Sequence, residues 1–134
     1  MKTLLAGLAF VGVIFLVMTT VRAQSEDRIL EPKVYQEKLA AKGGVLVDVR
    51  TPNEYKEAHL ANATLINYHG KTFKKQILAL PKDKTYFIYC RSGGRSGKTL
   101  KMMTVAGYDV YDMKGGILAW QNEKLPVEKG FDTK

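Results

Sequence analysis

The sequence predicts an α/β domain built on a mostly parallel central sheet with helices on both faces, and three observations carry that reading. Short, almost wholly apolar runs at Val45–Val49 and Thr85–Tyr89 have the composition of strands covered on both sides. Stretches with helical spacing of apolar residues separate these runs, so strand and helix alternate along the chain. Gly and Pro stand at the junctions, where turns and helix ends need them.

Taken in order, Pro32 suits a first helical position, Tyr35 and Leu39 lie four apart, and Gly43-Gly44 follow Lys42 as a stop. The strand Val45–Val49 comes next. Thr51-Pro52 opens a short helix through Tyr55, and Ala63–Ile66 reads as a further, weaker strand. Thr72 is placed to cap a helix whose Phe73, Ile77 and Leu80 share one face, with Pro81 ending it. After the strand Thr85–Tyr89, a helix beginning at Ser96 aligns Leu100, Met103 and Gly107, and Gly107 allows the left-handed turn into a strand at Asp109–Met113. No internal repeat and no second domain are visible in the 134 residues.

The first residues differ in kind. Lys2 precedes an apolar run from Leu4 to Met18, and Val21 and Ala23 suit cleavage before Gln24. Residues 1–23 are therefore expected to be a signal peptide and 24–134 the domain, which makes the protein exported and most naturally periplasmic. The competing reading is an uncleaved membrane anchor, and a membrane partner follows only in that case. Fifteen helical residues span roughly 22 Å, short of a hydrocarbon core of about 30 Å, which favours cleavage.

The chain has 21 Lys and Arg against 13 Asp and Glu, a formal charge of +8. Lys71, Lys74 and Lys75 cluster, but no aromatic-interleaved basic stripe accompanies them, so the charge is read as solvation and attraction of small anions rather than nucleic-acid binding. One cysteine and two histidines supply no credible metal or haem set, and no cofactor is expected.

That single cysteine, Cys90, carries the functional signal. A lone cysteine is ordinarily a small buried hydrophobe. Here it ends a buried strand and is followed by Arg91-Ser92-Gly93-Gly94-Arg95-Ser96, so backbone N–H groups at a helix start converge where the sulfur sits. Dipoles and hydrogen bonds of that kind favour the thiolate, and ligands of parallel sheets bind beyond the carboxyl ends of strands. Gly93 and Gly94 are expected to give the loop the backbone freedom this needs. Arg91 and Arg95 offer fixed donors to a tetrahedral anion, one of them alternatively bracing the loop. Ser92 and Ser96 are available as hydroxyl donors, with Ser96 better suited to capping the helix.

A set of motifs now stands together: Val47-Asp48-Val49-Arg50-Thr51-Pro52, Glu54-Tyr55, His59-Leu60, Tyr89-Cys90-Arg91-Ser92-Gly93-Gly94-Arg95-Ser96, Gly107-Tyr108, and Gly115-Gly116-Ile117 with Ala119-Trp120. In these the chain resembles a single-domain rhodanese, over Arg28 to Val127, and is similar to exported, phage-shock-type thiosulfate sulfurtransferases. Ala58 and Asn62 depart from the pattern, standing where the family usually has glycines.

The resemblance implies that Cys90 attacks the sulfane sulfur of thiosulfate or a similar anionic donor, becomes a persulfide, and passes sulfur to a thiol or cyanide. It implies that Arg91, Ser92, Gly93, Gly94 and Arg95 bind the donor, while Ser96, Asp48 and Arg50 support the loop. His59 is expected to be a hydrogen-bonded structural residue, His69 to have no role, and Trp120 to pack. The alternative is a polysulfide-binding or persulfide-carrying module that delivers sulfur to a partner protein. Cysteine phosphatases and arsenate reductases are disfavoured, because they place five residues between Cys and Arg and this chain has four, Arg91 to Gly94.

Overall fold

The computed structural model describes residues 27–131. The leader and the Ala23–Gln24 junction lie outside them. Among the described residues no helix is long and apolar enough to cross a membrane.

Five strands, β1 (Ile29–Leu30), β2 (Val45–Asp48), β3 (Thr64–Leu65), β4 (Thr85–Tyr89) and β5 (Asp109–Met113), form one sheet in the order β1-β5-β4-β2-β3. All four pairings are parallel. The helices are α1 (Pro32–Lys42), α2 (Pro52–Glu57), α3 (Phe73–Leu78), α4 (Gly94–Val105) and α5 (Gly116–Asn122). The expected α/β architecture is therefore the one observed.

Side-chain alternation along the strands divides the core in two. Val47, Val49, Tyr86, Ile88, Cys90, Tyr108 and Val110 point to one face, where Phe73 and Ile77 of α3 and Leu100 and Met103 of α4 cover them. Leu46, Phe87, Tyr89, Tyr111 and Met113 point to the other, under Tyr35 of α1, Tyr55 of α2, and Ile117 and Trp120 of α5. Each strand has to be apolar on both sides because both faces are roofed. Fully burying side chains of this size stabilises by about 1.5–3 kcal/mol each.

Helix ends follow their local chemistry, with corrections. Pro32 starts α1, and Gly43 closes it in the left-handed conformation. Thr51 caps α2 through a reciprocal capping box with Glu54. Thr72 precedes α3 but its side chain makes no capping bond, and α3 ends at Leu78, before Leu80. Helix α4 begins two residues before Ser96, with Gly93 at the N-cap, so Ser96 lies inside the first turn and does not cap it. Gly107 takes φ +89° between α4 and β5, as its position predicts. Asn62, in place of a glycine, adopts φ +66°, which Asn tolerates; Ala58 is extended, a conformation open to any residue.

Candidate active site

Strand β4 ends at Tyr89, and the next residue, Cys90, is 1% exposed. Its carbon atoms belong to the core on the α4 face, but its sulfur meets polar groups. The Gly93 amide donates to Sγ at 3.1 Å and the Ser96 hydroxyl donates at 3.3 Å. Burial pushes the thiol up, yet the Ser96 hydroxyl and the amides of Ser96, Gly93 and Ser92 outweigh it, so the thiol lies below its ordinary value. These donors favour the thiolate.

The loop can wrap one sulfur atom because Gly93 takes φ +107°, a region that side chains resist. Gly94 does not share this role. It has no positive φ, and a Cβ there would meet nothing within 4 Å, so it serves as the first residue of α4.

The two arginines separate. Both terminal nitrogens of Arg95 lie on the Glu54 carboxylate, at 2.7 and 2.8 Å, so Arg95 is the one that braces the loop, tying α4 to α2. The Arg95 guanidinium holds Glu54 down at about 2, against the partial opposition of burial. Arg91 is exposed and lines a cavity of about 300 Å³ with Arg50, Glu54, Ala58, Ile117 and Leu118. Ser92 is exposed and contributes its amide rather than its hydroxyl to the sulfur.

Asp48 and Arg50 form a buried ion pair at the end of β2. The Arg50 side chain donates to both Asp48 carboxylate oxygens, at 2.7–3.1 Å, and the Arg50 amide donates to Oδ1 at 2.9 Å. Tyr89, immediately before Cys90, donates its hydroxyl to Asp48 Oδ2 at 2.7 Å, and Arg50 reaches the Ala58 carbonyl. The end of β4 is thereby fixed to the end of β2. His59 is stacked on Tyr55 and its Nδ1 is 2.8 Å from the Tyr55 carbonyl. Trp120 packs and donates to the Pro126 carbonyl, while His69 only donates its amide to Asn67.

Three contributors escaped the sequence reading. Glu54 entered the sequence reading only within the Glu54-Tyr55 motif, and neither its capping box with Thr51 nor its hold on Arg95 was read from it. Gly116, at φ +60°, lies so close beneath the loop that a Cβ would meet the Arg91 oxygen at 2.4 Å. From that position the first amides of α5 hold the loop's carbonyls, Ile117 on Cys90 at 3.0 Å and Leu118 on Arg91 at 3.2 Å. The third, Asp112, is a buried carboxyl on β5 whose neighbour is Ser96.

Residues 31–123 match the model of the rhodanese-like domain. The chain belongs to that family. A protein of Allochromatium vinosum named "Sulfurtransferase" is 36% identical to this rhodanese-like domain over 84 residues, covering 62% of this chain and 77% of that protein. Similarity to the Mycobacterium tuberculosis protein named "Probable adenylyltransferase/sulfurtransferase MoeZ" reaches 35% over 82 residues, 60% of this chain but only 21% of that longer protein. Among solved structures, a rhodanese-related protein of Thermoplasma volcanium superimposes with a TM-score of 0.68 at 28% identity, covering 75% of this chain and 97% of its own. Among the described residues no group of three or more His, Cys, Asp or Glu side chains gathers as a metal site.

Proposed function

We propose that this rhodanese-like domain is a sulfurtransferase whose Cys90 thiolate accepts sulfane sulfur from thiosulfate or a similar anionic donor and hands it to a thiol or cyanide. The observation that carries the reading is the ring of Gly93, Ser92 and Ser96 donors around the Cys90 sulfur. In the loading step the thiolate electron pair forms a bond to the donor's outer sulfur, the donor's S–S bond breaks, and sulfite leaves with that pair. Cys90 becomes a persulfide anion. An acceptor thiolate then attacks the outer sulfur and Cys90 leaves as thiolate, with no net oxidation of the protein.

The same donors serve both steps, since each places negative charge on a sulfur in the loop. Arg91, exposed at the 300 Å³ cavity, is assigned the donor's oxyanion end, since Arg95 is occupied by Glu54. The relative named sulfurtransferase supports the reading.

Sulfite release and thiocyanate formation from thiosulfate, with wild type and Cys90→Ala, test it. Turnover is expected in wild type and loss in the variant; equal activity in both sinks the proposal. One-for-one loading of wild type without turnover identifies a persulfide carrier instead. Mass spectrometry of the donor-treated protein is expected to add one sulfur, about 32 Da, to the Cys90 peptide.

Export is part of the same proposal. It is supported by the apolar run Leu4–Met18 followed by Val21 and Ala23, and N-terminal sequencing of the expressed protein is expected to begin at Gln24.

A further inference from the structure

The lysine cluster Lys71, Lys74 and Lys75 lies outside the sulfur site, and the fold shows what it borders. From Ala58 to Lys82 and again from Lys84 to Tyr108 the chain contains no Asp or Glu. Those two stretches supply α3 and α4, the helices that cover one face of the sheet. The helices of the opposite face carry Glu37 on α1 and Glu54 and Glu57 on α2. All the charged side chains of α3 and α4 are therefore cations.

The surface between these two helices is hollow. Two cavities, of about 350 and 390 Å³, share Lys74 and Met102 and follow α4 from Lys98 to Val105. Seven residue steps at about 1.5 Å each make a groove roughly 10 Å long, or two helical turns. Its floor is apolar: Met102 is half-buried, Leu78 is 41% exposed and Val105 89%. Its rim is Lys71, Lys74, Lys98 and Lys101, all exposed, and among the described residues none of the four has an ion-pair partner. No carboxylate lines either cavity. At one end of the groove the Thr99 hydroxyl donates to the Arg95 carbonyl at 2.9 Å, which places that end at the first turn of the helix whose start holds the Cys90 sulfur.

We propose that this groove docks an acidic amphipathic helix of a partner protein, with apolar side chains filling the two hollows and carboxylates pairing with the four lysines. Charge complementarity selects that occupant. A second copy meeting this one through the same groove would set lysines against lysines, in a chain whose formal charge is already +8. An anionic bilayer matches the charge, but holding a bilayer takes a face of projecting apolar side chains, and here only Val105 stands clear while Met102 lies recessed between cavities. The phosphate backbone of a nucleic acid leaves the apolar floor unused. A partner in the groove lies along α4, next to the loop that carries Cys90.

The test titrates a synthetic amphipathic peptide, a leucine stripe flanked by glutamates, into the isotope-labelled protein and follows its amide resonances. Shifts are expected to be confined to α3, α4 and the turns beside them, and the affinity to fall as salt is raised. Lys74→Glu combined with Lys101→Glu sets like charges against the peptide and is expected to weaken binding about tenfold or more. Val105→Asp, which puts a carboxylate against the leucine stripe, is expected to weaken it comparably. All three positions are exposed, so these variants are expected to keep the wild-type fold, with circular dichroism as the check. The inference does not depend on the sulfur chemistry, so Cys90→Ala is expected to bind the peptide as wild type does, whatever becomes of transfer. Unchanged affinity in both groove variants overturns the proposal, and so do shifts that lie elsewhere. Equal binding of a peptide with serines in place of the leucines also overturns it, by reducing the effect to charge. Binding to phosphatidylglycerol vesicles without binding of the peptide overturns it in favour of a membrane. Self-association that Val105→Asp abolishes, again without peptide binding, overturns it in favour of a second copy.

Discussion

Glu54 and Arg95 meet through two hydrogen bonds, 2.7 and 2.8 Å, that join the first turn of α2 to the first turn of α4. The same Glu54 carboxylate accepts from the amide and hydroxyl of Thr51, so one side chain closes the α2 cap and holds the Cys90 loop. Partly exposed pairs are ordinarily weak, but bidentate geometry and a shared cap place this one at the upper end of their range.

Glu54→Gln is accordingly expected to lower stability by about 1 kcal/mol at neutral pH. The sign with pH follows from the carboxyl lying at about 2 when folded against an ordinary 4.5. Its contribution is complete above the ordinary value and is lost as pH falls toward the folded one. Thermal unfolding from neutral to strongly acid pH should show the wild-type advantage shrinking through that window and vanishing below it; an advantage that persists at the acid end contradicts the assignment.

Gly93 and Gly94 are adjacent and should respond oppositely. Gly93→Ala forces a side chain into φ +107° at the residue whose amide is 3.1 Å from Cys90 Sγ. A cost of about 1–2 kcal/mol and a raised thiol titration are expected. Gly94→Ala places a better helix former where a Cβ has open space, so unchanged or improved stability, by up to about 1 kcal/mol, is expected. Paired denaturant melts and thiol titrations check both.

Residue pattern explains which parts of the molecule were legible beforehand. The boundaries of β4 read directly from the run Thr85–Tyr89 between Lys84 and Cys90, because a strand buried on both faces leaves no alternation to misread, whereas β5, which carries Asp109 and Asp112, read from the glycine stop at Gly107 before it. Cys90 was singled out as a candidate because glycine and arginine follow it in the sequence. Strand β1 was not, since two residues held by pairing to β5 carry no periodicity of their own. Helix α5 was recognised only as a Gly-Gly-Ile-x-x-Trp motif, and its N-terminal hold on the Cys90 and Arg91 carbonyls depends on a long-range approach. The pairing of Arg95 with Glu54, 41 residues apart, is equally tertiary, and either arginine fitted an anion until the fold placed them.

Gly116→Ala tests that long-range approach. The added Cβ would lie 2.4 Å from the Arg91 oxygen and 2.6 Å from the Cys90 oxygen, both backbone atoms that cannot turn aside. Overpacking of about 1–3 kcal/mol adds to the strain of a side chain at φ +60°. Movement of the loop also takes the amides away from the sulfur, so the variant should be destabilised and its thiol titrate at higher pH. A variant as stable as wild type with an unmoved thiol would falsify the support role of α5.

The buried pair Asp48 and Arg50 provides the last expectation, because its members are not interchangeable with apolar residues one at a time. Their side chains are 0% and 5% exposed, and the Asp48 carboxylate also receives the Tyr89 hydroxyl one residue before Cys90. Removing either partner alone strands a desolvated charge, for which about 3–5 kcal/mol is the ordinary cost. Asp48→Leu and Arg50→Leu are each expected to fall in that range, and the double variant to lose less than the sum of the two. A double-mutant cycle by denaturant unfolding measures the difference. Additive losses would show that the two side chains act independently, and the joining of β2 to β4 would then have to rest on the Tyr89 contact and the strand ladder.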